Sequence, residues 1–144
     1  MFLNTTRPVD NKRILFSVTY RIGHRTGTDK YNGGSKSGAY FFTLIGTEGE
    51  TDPHDCPADR SSGVYAECTF KDSAEIGKLT GMRIKNKSDN MWVFKTMFVF
   101  VDGVLRGRSL DTERLDDYKT LTISFTYIGA NSRLLSVFLI AKSF

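Results

Sequence analysis

The stretch Val64-Tyr65-Ala66-Glu67-Cys68-Thr69-Phe70 alternates small or apolar side chains with more polar ones, and this pattern decides the fold class. Successive side chains of an extended strand point to opposite faces, so Val64, Cys68 and Phe70 share one face. The same period of two, or a short run apolar on both faces, returns at residues 14–20, 40–46, 82–87, 92–101, 121–127 and 134–141. About seven or eight strands with little helix predict an all-β, antiparallel β-sandwich.

The length of the chain fits one domain. It has 144 residues, which is enough to enclose a single core. We expect residues 1–12 to be an N-terminal extension and residues 13–144 to be one domain. The Asp102-Gly103 dipeptide predicts a tight reversal between strands. Only residues 72–79 and 111–118 are candidates for short helices.

The charge of the chain is mildly positive. The net charge is +4 and the isoelectric point is about 9.1. Such a charge is compatible with anionic lipid, acidic glycan or nucleic acid. No block of like charges resembles a nucleic-acid-binding tail, so we do not expect a nucleic-acid partner. No apolar run approaches the roughly 20 residues that span a bilayer.

The compartment is predicted from weak signals. Cys56 and Cys68 are close enough in sequence to form a local disulfide bond, but two cysteines do not decide the compartment. Residues 1–6 lack the apolar core of a signal peptide, so either the protein is cytosolic or a signal has been removed. Asn4 and Asn86 each begin a possible glycosylation triplet. We expect a secreted protein, and a cytoplasmic protein at the membrane surface is the alternative.

The sequence holds no recognisable catalytic site. Its two histidines, His24 and His54, are expected to be solvated loop residues. No serine lies in a Gly-x-Ser-x-Gly motif. Cys68 falls on the apolar face of its strand, which indicates a core thiol or half of a disulfide rather than a nucleophile. We therefore expect a protein that is not an enzyme.

Several stretches, in a fixed order, resemble one known family. Residues 16–23 form a strand before a Gly-rich loop, residues 37–49 read SGAYFFTLIGTEG, residues 76–84 read IGKLTGMRI, and Trp92 opens the next apolar strand. This order is similar to that of the PLAT (lipoxygenase homology, LH2) domain over roughly residues 14–101. The resemblance implies an eight-stranded β-sandwich and a non-catalytic module that binds membrane lipids or proteins, in some members with calcium.

The resemblance also bears on calcium. Family members often carry an acidic residue where Ser37 stands here, and a His-Asp pair where this chain has Asn86-Lys87. Asp29 and Asp89 remain, and both offer the carboxylate oxygens that calcium prefers. We expect no cofactor, with calcium at Asp29 and Asp89 as the alternative.

A row of cations is the best candidate for a binding surface. Arg83, Lys85 and Lys87 alternate along one strand and are expected to point away from the core, and Lys95 on the following strand is a further candidate. Such a row attracts anionic headgroups, with Tyr31 of the Gly-rich loop as an interfacial anchor. An ordinary solvated sheet face is the alternative.

Three functions stay open at this point. The first is a module that binds lipid headgroups or a membrane-associated protein. The second is a protein-interaction or structural subunit of a secreted, toxin-like assembly. The third is a carbohydrate-binding sandwich in which Tyr31 and Tyr65 stack on sugars.

Overall fold

The computed structural model describes residues 17–28 and 37–129, and every regular element in these ranges is a β-strand. The ten strands are β1 (Val18–Thr26), β2 (Tyr40–Gly46), β3 (His54–Asp55), β4 (Tyr65–Asp72), β5 (Leu79–Asn86), β6 (Trp92–Val101), β7 (Val104–Ser109), β8 (Glu113–Leu115), β9 (Thr120–Ser124) and β10 (Thr126–Tyr127). No helix in the described ranges has the length and hydropathy that crossing a bilayer requires.

The strands form two antiparallel sheets that face each other. One sheet has six strands in the order β10-β7-β6-β1-β4, with β8 also paired to β6, and the other has four in the order β3-β2-β5-β9. Consecutive strands β5 and β6 therefore lie in different sheets, whereas β6 and β7 form a hairpin. The predicted antiparallel β-sandwich is confirmed.

The core lies between the two sheets and follows the alternation of the strands. Tyr20 and Ile22 of β1 face Phe42 of β2 and Ile84 of β5, and all four are buried. Trp92 is fully buried at the start of β6, as its apolar neighbours predict, and its indole N–H donates to Thr26 Oγ1 at 2.9 Å. Large aromatic rings contribute much of the buried apolar area in such a core.

One edge of the sandwich is closed by two cross-sheet links. Cys56, just after β3, is bonded to Cys68 of β4, with the two Cα atoms 5.5 Å apart. The predicted disulfide is therefore present. His54 Nε2 lies 2.7 Å from Asp72 Oδ2, which joins the same two strands a few residues away. Because β3 and β4 are edge strands of different sheets, both links hold the sheets together at that edge.

Both helix predictions are wrong. Residues 73–78 form a loop whose carbonyl groups accept hydrogen bonds from Thr47 N and Glu48 N, so its backbone pairs with another loop rather than with itself. In residues 111–118, β8 pairs with the start of β6. In both cases pairing with a distant segment replaces the local bonds of a helix.

The predicted reversal at Asp102-Gly103 is confirmed. The two residues join β6 to β7 with φ values of 48° and 83°, as a two-residue hairpin with both central residues left-handed requires.

The two histidines are not solvated loop residues. His24 lies on β1 and is fully buried, because its even position in that strand faces the core. His54 lies on β3, where its ring stacks on Phe70 at 4.2 Å and pairs with Asp72. Several predictions lie outside the described residues: the extension 1–12, residues 14–16 of the first strand, Asp29, Tyr31 and the strand 134–141.

Candidate functional site: the basic face of the four-stranded sheet

The outer face of the four-stranded sheet carries the cation row. Along β5, Met82, Ile84 and Asn86 are buried, whereas the side chains between and after them point outward. These outward residues are Arg83, Lys85 and Lys87. The alternation read from the sequence therefore gives the correct orientation of all three cations.

Residues of the two flanking strands complete this face. Lys85 lies between Phe41 of β2 and Thr120 of β9, and Arg83 lies beside Thr43 of β2. Together they enclose a shallow cavity of about 330 Å³. Its lining consists of Phe41, Thr43, Pro53, Arg83, Lys85, Lys87 and Thr120.

Arg83 is committed to an ion pair at the rim of the cavity. Its two terminal nitrogens donate to Glu50 Oε2 at 2.9 Å and to Glu50 Oε1 at 3.2 Å. The hydrogen bonds from Arg83 lower the pKa of Glu50, and the same bonds raise the pKa of Arg83. Glu50 comes from the loop after β2, and no local sequence pattern indicates this pairing.

The two lysines differ from Arg83 in their contacts. Lys87 Nζ lies 4.3 Å from the centroid of the Phe41 ring, which is within cation–π range. Within residues 17–28 and 37–129, neither Lys85 nor Lys87 forms an ion pair with a carboxylate. The Arg83–Glu50 pair is neutral overall, so the two lysines give the cavity a local charge of about +2 at neutral pH.

Lys95 does not extend this row, so that prediction is wrong. It lies on β6, in the opposite sheet. Arg25 pairs with Thr96 and Thr26 with Phe94, so Lys95 is the extra residue of a β-bulge and is exposed.

One end of the sandwich displays an exposed tyrosine that the sequence analysis missed. Buried Asn86 donates through its side-chain amide to the carbonyl oxygens of Asn90 and Asp116, at 2.8 and 3.1 Å. Its backbone N–H donates to Lys119 O at 2.9 Å. These bonds hold the loops 87–91 and 116–119 together. Tyr118 sits in the second loop, 67% exposed, with a left-handed φ of 57°.

Calcium binding is not supported by a ligand cluster in the part of the chain described here. Asp89 is exposed in the loop 87–91, and its predicted partner Asp29 lies outside the described residues. No group of three or more His, Cys, Asp or Glu side chains among the described residues could hold a metal ion. The side-chain amide of Asn86 is used to hold the two loops.

The histidines and cysteines are used in the structure of the sandwich. Burial, together with the charge of Arg60, lowers the pKa of His24 to about 3, so the imidazole is neutral and inaccessible to a substrate. Cys56 and Cys68 are oxidised. The Nε2 atom of His54 is paired with the carboxylate of Asp72.

Tyr65, predicted as a sugar-stacking ring, is also engaged within the protein. Its ring packs over Gly23, where any Cβ atom would collide with the Tyr65 hydroxyl. That hydroxyl donates to Glu67 at 3.1 Å, and the ring joins the small cluster around Phe98 and Phe100. Tyr65 therefore does not offer a clear aromatic platform.

Comparison with solved structures places this geometry in a known fold. A deletion variant of a lipoxygenase superposes with a TM-score of 0.61 at 12% identity, covering 76% of this chain and 16% of the lipoxygenase. Alpha-toxin of Clostridium perfringens, from an avian strain, matches with a TM-score of 0.57 at 20% identity, covering 75% of this chain and 32% of the toxin. The fold is a PLAT/C2-like β-sandwich.

A coral 8R-lipoxygenase shows the same likeness, with a TM-score of 0.54 at 10% identity over 86% of this chain and 20% of the enzyme. That structure is described as showing calcium activation through a C2-like domain. In all three comparisons, this chain spans only about a sixth to a third of the length of the neighbour. No protein-family model matches the sequence, and the search of curated proteins found no relative.

Proposed function

We propose that this chain is a non-catalytic module of the PLAT type that binds anionic membrane surfaces through the basic face of its four-stranded sheet. The cavity lined by Arg83, Lys85 and Lys87 carries the proposal, because it combines a local positive charge with an aromatic ring, Phe41, on an outward-facing surface. Each cation near an anionic membrane contributes about 1 kcal/mol of attraction.

The fold gives independent support. PLAT-type sandwiches are non-catalytic modules that bind membrane lipids or proteins, and the structural neighbours carry this sandwich as a minor part of a longer chain. No lipoxygenase or toxin activity is proposed for this chain.

Tyr118 supplies a second contact with the membrane. Tyrosine is favoured at membrane interfaces, where its ring meets the apolar side and its hydroxyl meets water. Tyr118 follows β8 and precedes Thr120, which lines the basic cavity, so the tyrosine and the cavity are close along the chain. Tyr31, the interfacial anchor expected from the sequence, lies outside the described residues and stays a prediction.

We propose an extracellular location. The disulfide between Cys56 and Cys68 supports this, because disulfides persist mainly in oxidising compartments. A cytoplasmic protein at the membrane surface is the alternative, and quantifying free thiols in protein purified from its native source separates the two.

Vesicle flotation tests the membrane proposal. The protein is expected to float with vesicles of phosphatidylcholine and phosphatidylserine, to float less as salt is raised, and to stay in solution with phosphatidylcholine alone. The Lys85→Glu/Lys87→Glu variant is expected to lose flotation. The Lys71→Glu/Lys95→Glu variant has the same charge change on the other sheet and is expected to bind more like the wild type. Equal loss in both variants would remove the basic face from the proposal.

A protein-interaction role is the second candidate. The observation that favours it is that the structural neighbours carry this sandwich within much longer chains. Absence of flotation with any anionic vesicle, together with a discrete heteromeric complex in the native source, would favour this role over the first.

A further inference from the structure

The cavity on the basic face has the dimensions of a site for a small ligand rather than of a flat contact. Its volume is about 330 Å³, at the lower end of the range for ligand-binding sites. It lies on the outer face of a sheet whose central strands β2 and β5 are fixed by continuous pairing from Tyr40 to Ile45. The groups that line it are therefore held on rigid elements.

The charges of the cavity match one doubly charged anion. Arg83 is neutralised by Glu50, which leaves the ammonium groups of Lys85 and Lys87. These lysines are two positions apart on β5, so their Cβ atoms are about 6.6 Å apart on the same face. Two lysine side chains from such positions can converge on a single anion between them.

Neutral groups on both sides of the lysines complete the site. Thr120 lies directly across from Lys85 and contributes a hydroxyl group, and Thr43 of β2 contributes another to the lining. Phe41 lies across from Lys85 on the other side and contributes an apolar surface. Hydroxyl donors and lysines bind phosphate oxygens, and the apolar ring accepts the carbon skeleton of a ligand.

We propose that this cavity binds a phosphomonoester carried by a polyol of headgroup size. A phosphomonoester carries a charge of about −1.5 to −2 at neutral pH and three acceptor oxygens, which matches two lysines and a hydroxyl group. A phosphodiester carries a single charge and leaves one lysine uncompensated. The remaining volume accommodates the polyol against Phe41. This inference rests on the proposed function, since the polyol is expected to be the headgroup of a lipid.

The membrane test compares two lipids that differ only in the phosphomonoester. Vesicles of phosphatidylcholine contain either phosphatidylinositol or phosphatidylinositol phosphate, with their amounts adjusted to equal zeta potential. The wild-type protein is expected to bind the second at least tenfold more tightly. The Lys85→Gln/Lys87→Gln variant is expected to bind both equally, and the Lys71→Gln/Lys95→Gln control is expected to keep the tenfold selectivity. All three proteins are compared by thermal unfolding to confirm that they are folded.

A second arm distinguishes a lipid headgroup from a phosphate ester in solution. Calorimetry with inositol bisphosphate is expected to show one site that the Lys85→Gln/Lys87→Gln variant lacks. If this site is present but no vesicle is bound, the membrane function fails and the ligand is a phosphate ester in solution. If both vesicle types bind equally and inositol bisphosphate does not bind, the phosphomonoester site is overturned while the membrane function stands. Selectivity that survives in the Lys85→Gln/Lys87→Gln variant also overturns it.

Discussion

The imidazole ring of His24 meets the indole ring of Trp92 edge-on, with the ring centroids 4.9 Å apart in the middle of the core. Neither ring nitrogen of His24 has a hydrogen-bond partner among the described residues. The guanidinium group of Arg60 lies 4.7 Å from the centroid of the same indole ring. A protonated His24 would therefore be a buried charge beside another cation.

This arrangement predicts loss of stability in mild acid. The folded-state pKa of His24 is lowered to about 3, chiefly by burial, whereas the unfolded chain takes up the proton near the ordinary value of 6.5. His24 therefore stabilises the fold fully above that value, and the contribution falls as the pH decreases from 6.5 towards 3. Between pH 7 and pH 4.5 the free energy of unfolding is expected to fall by about 2–3 kcal/mol.

The test follows urea unfolding by the fluorescence of Trp92, the single tryptophan. His24→Phe removes the titrating group, so its free energy of unfolding is expected to change much less over the same pH range. The same acid-induced loss in wild type and His24→Phe would assign the effect to other groups.

The Cys56–Cys68 disulfide is expected to make a large contribution to the free energy of unfolding at constant pH. The bond closes a short loop and joins the two sheets at one edge. For a loop of this length, chain entropy gives a contribution of about 3 kcal/mol. Cys56→Ala/Cys68→Ala is expected to lose about that much in urea unfolding. Adding reductant to the wild type is expected to give a similar loss, and insensitivity of the wild type to reductant would contradict a stabilising bond.

The Glu50–Arg83 pair predicts a gain of binding. Glu50→Gln leaves Arg83 without its carboxylate, which raises the positive charge of the basic face by one. Because one additional cation near an anionic surface strengthens binding by roughly fivefold, the variant is expected to bind phosphatidylserine vesicles about that much more tightly at low salt. Glu67→Gln removes the carboxylate partner of Arg21 on the six-stranded sheet, with the same change in charge, and is the matched control. Unchanged affinity of Glu50→Gln would show that Arg83 does not face the membrane.

A substitution at Tyr118 is expected to weaken membrane binding without lowering the stability of the fold. Its left-handed φ of 57° is unfavourable for a residue with a Cβ atom but not for glycine. Tyr118→Gly is therefore expected to keep the stability of the wild type or to raise it by up to about 1 kcal/mol. The same variant is expected to bind anionic vesicles several-fold more weakly, because the interfacial ring is lost. Tyr127→Gly, with another exposed tyrosine, is the matched control for vesicle binding.

Much of the fold was predictable because burial imposes a period of two on each strand. This period gave the sandwich, the inward position of Trp92 and the outward position of Arg83, Lys85 and Lys87. The hairpin at Asp102-Gly103 was also predictable, because residues that tolerate a left-handed backbone fit few other turns.

What the sequence alone determined, then, is which face of each strand a side chain occupies, since that depends only on neighbouring positions. The tertiary structure sets which strands share a sheet. It placed Lys95 on the opposite sheet from Lys85, put His24 beside Trp92, and paired Glu50 with Arg83 across 33 positions. Such contacts join segments far apart along the chain and depend on the packing of the whole sandwich, which no local pattern encodes.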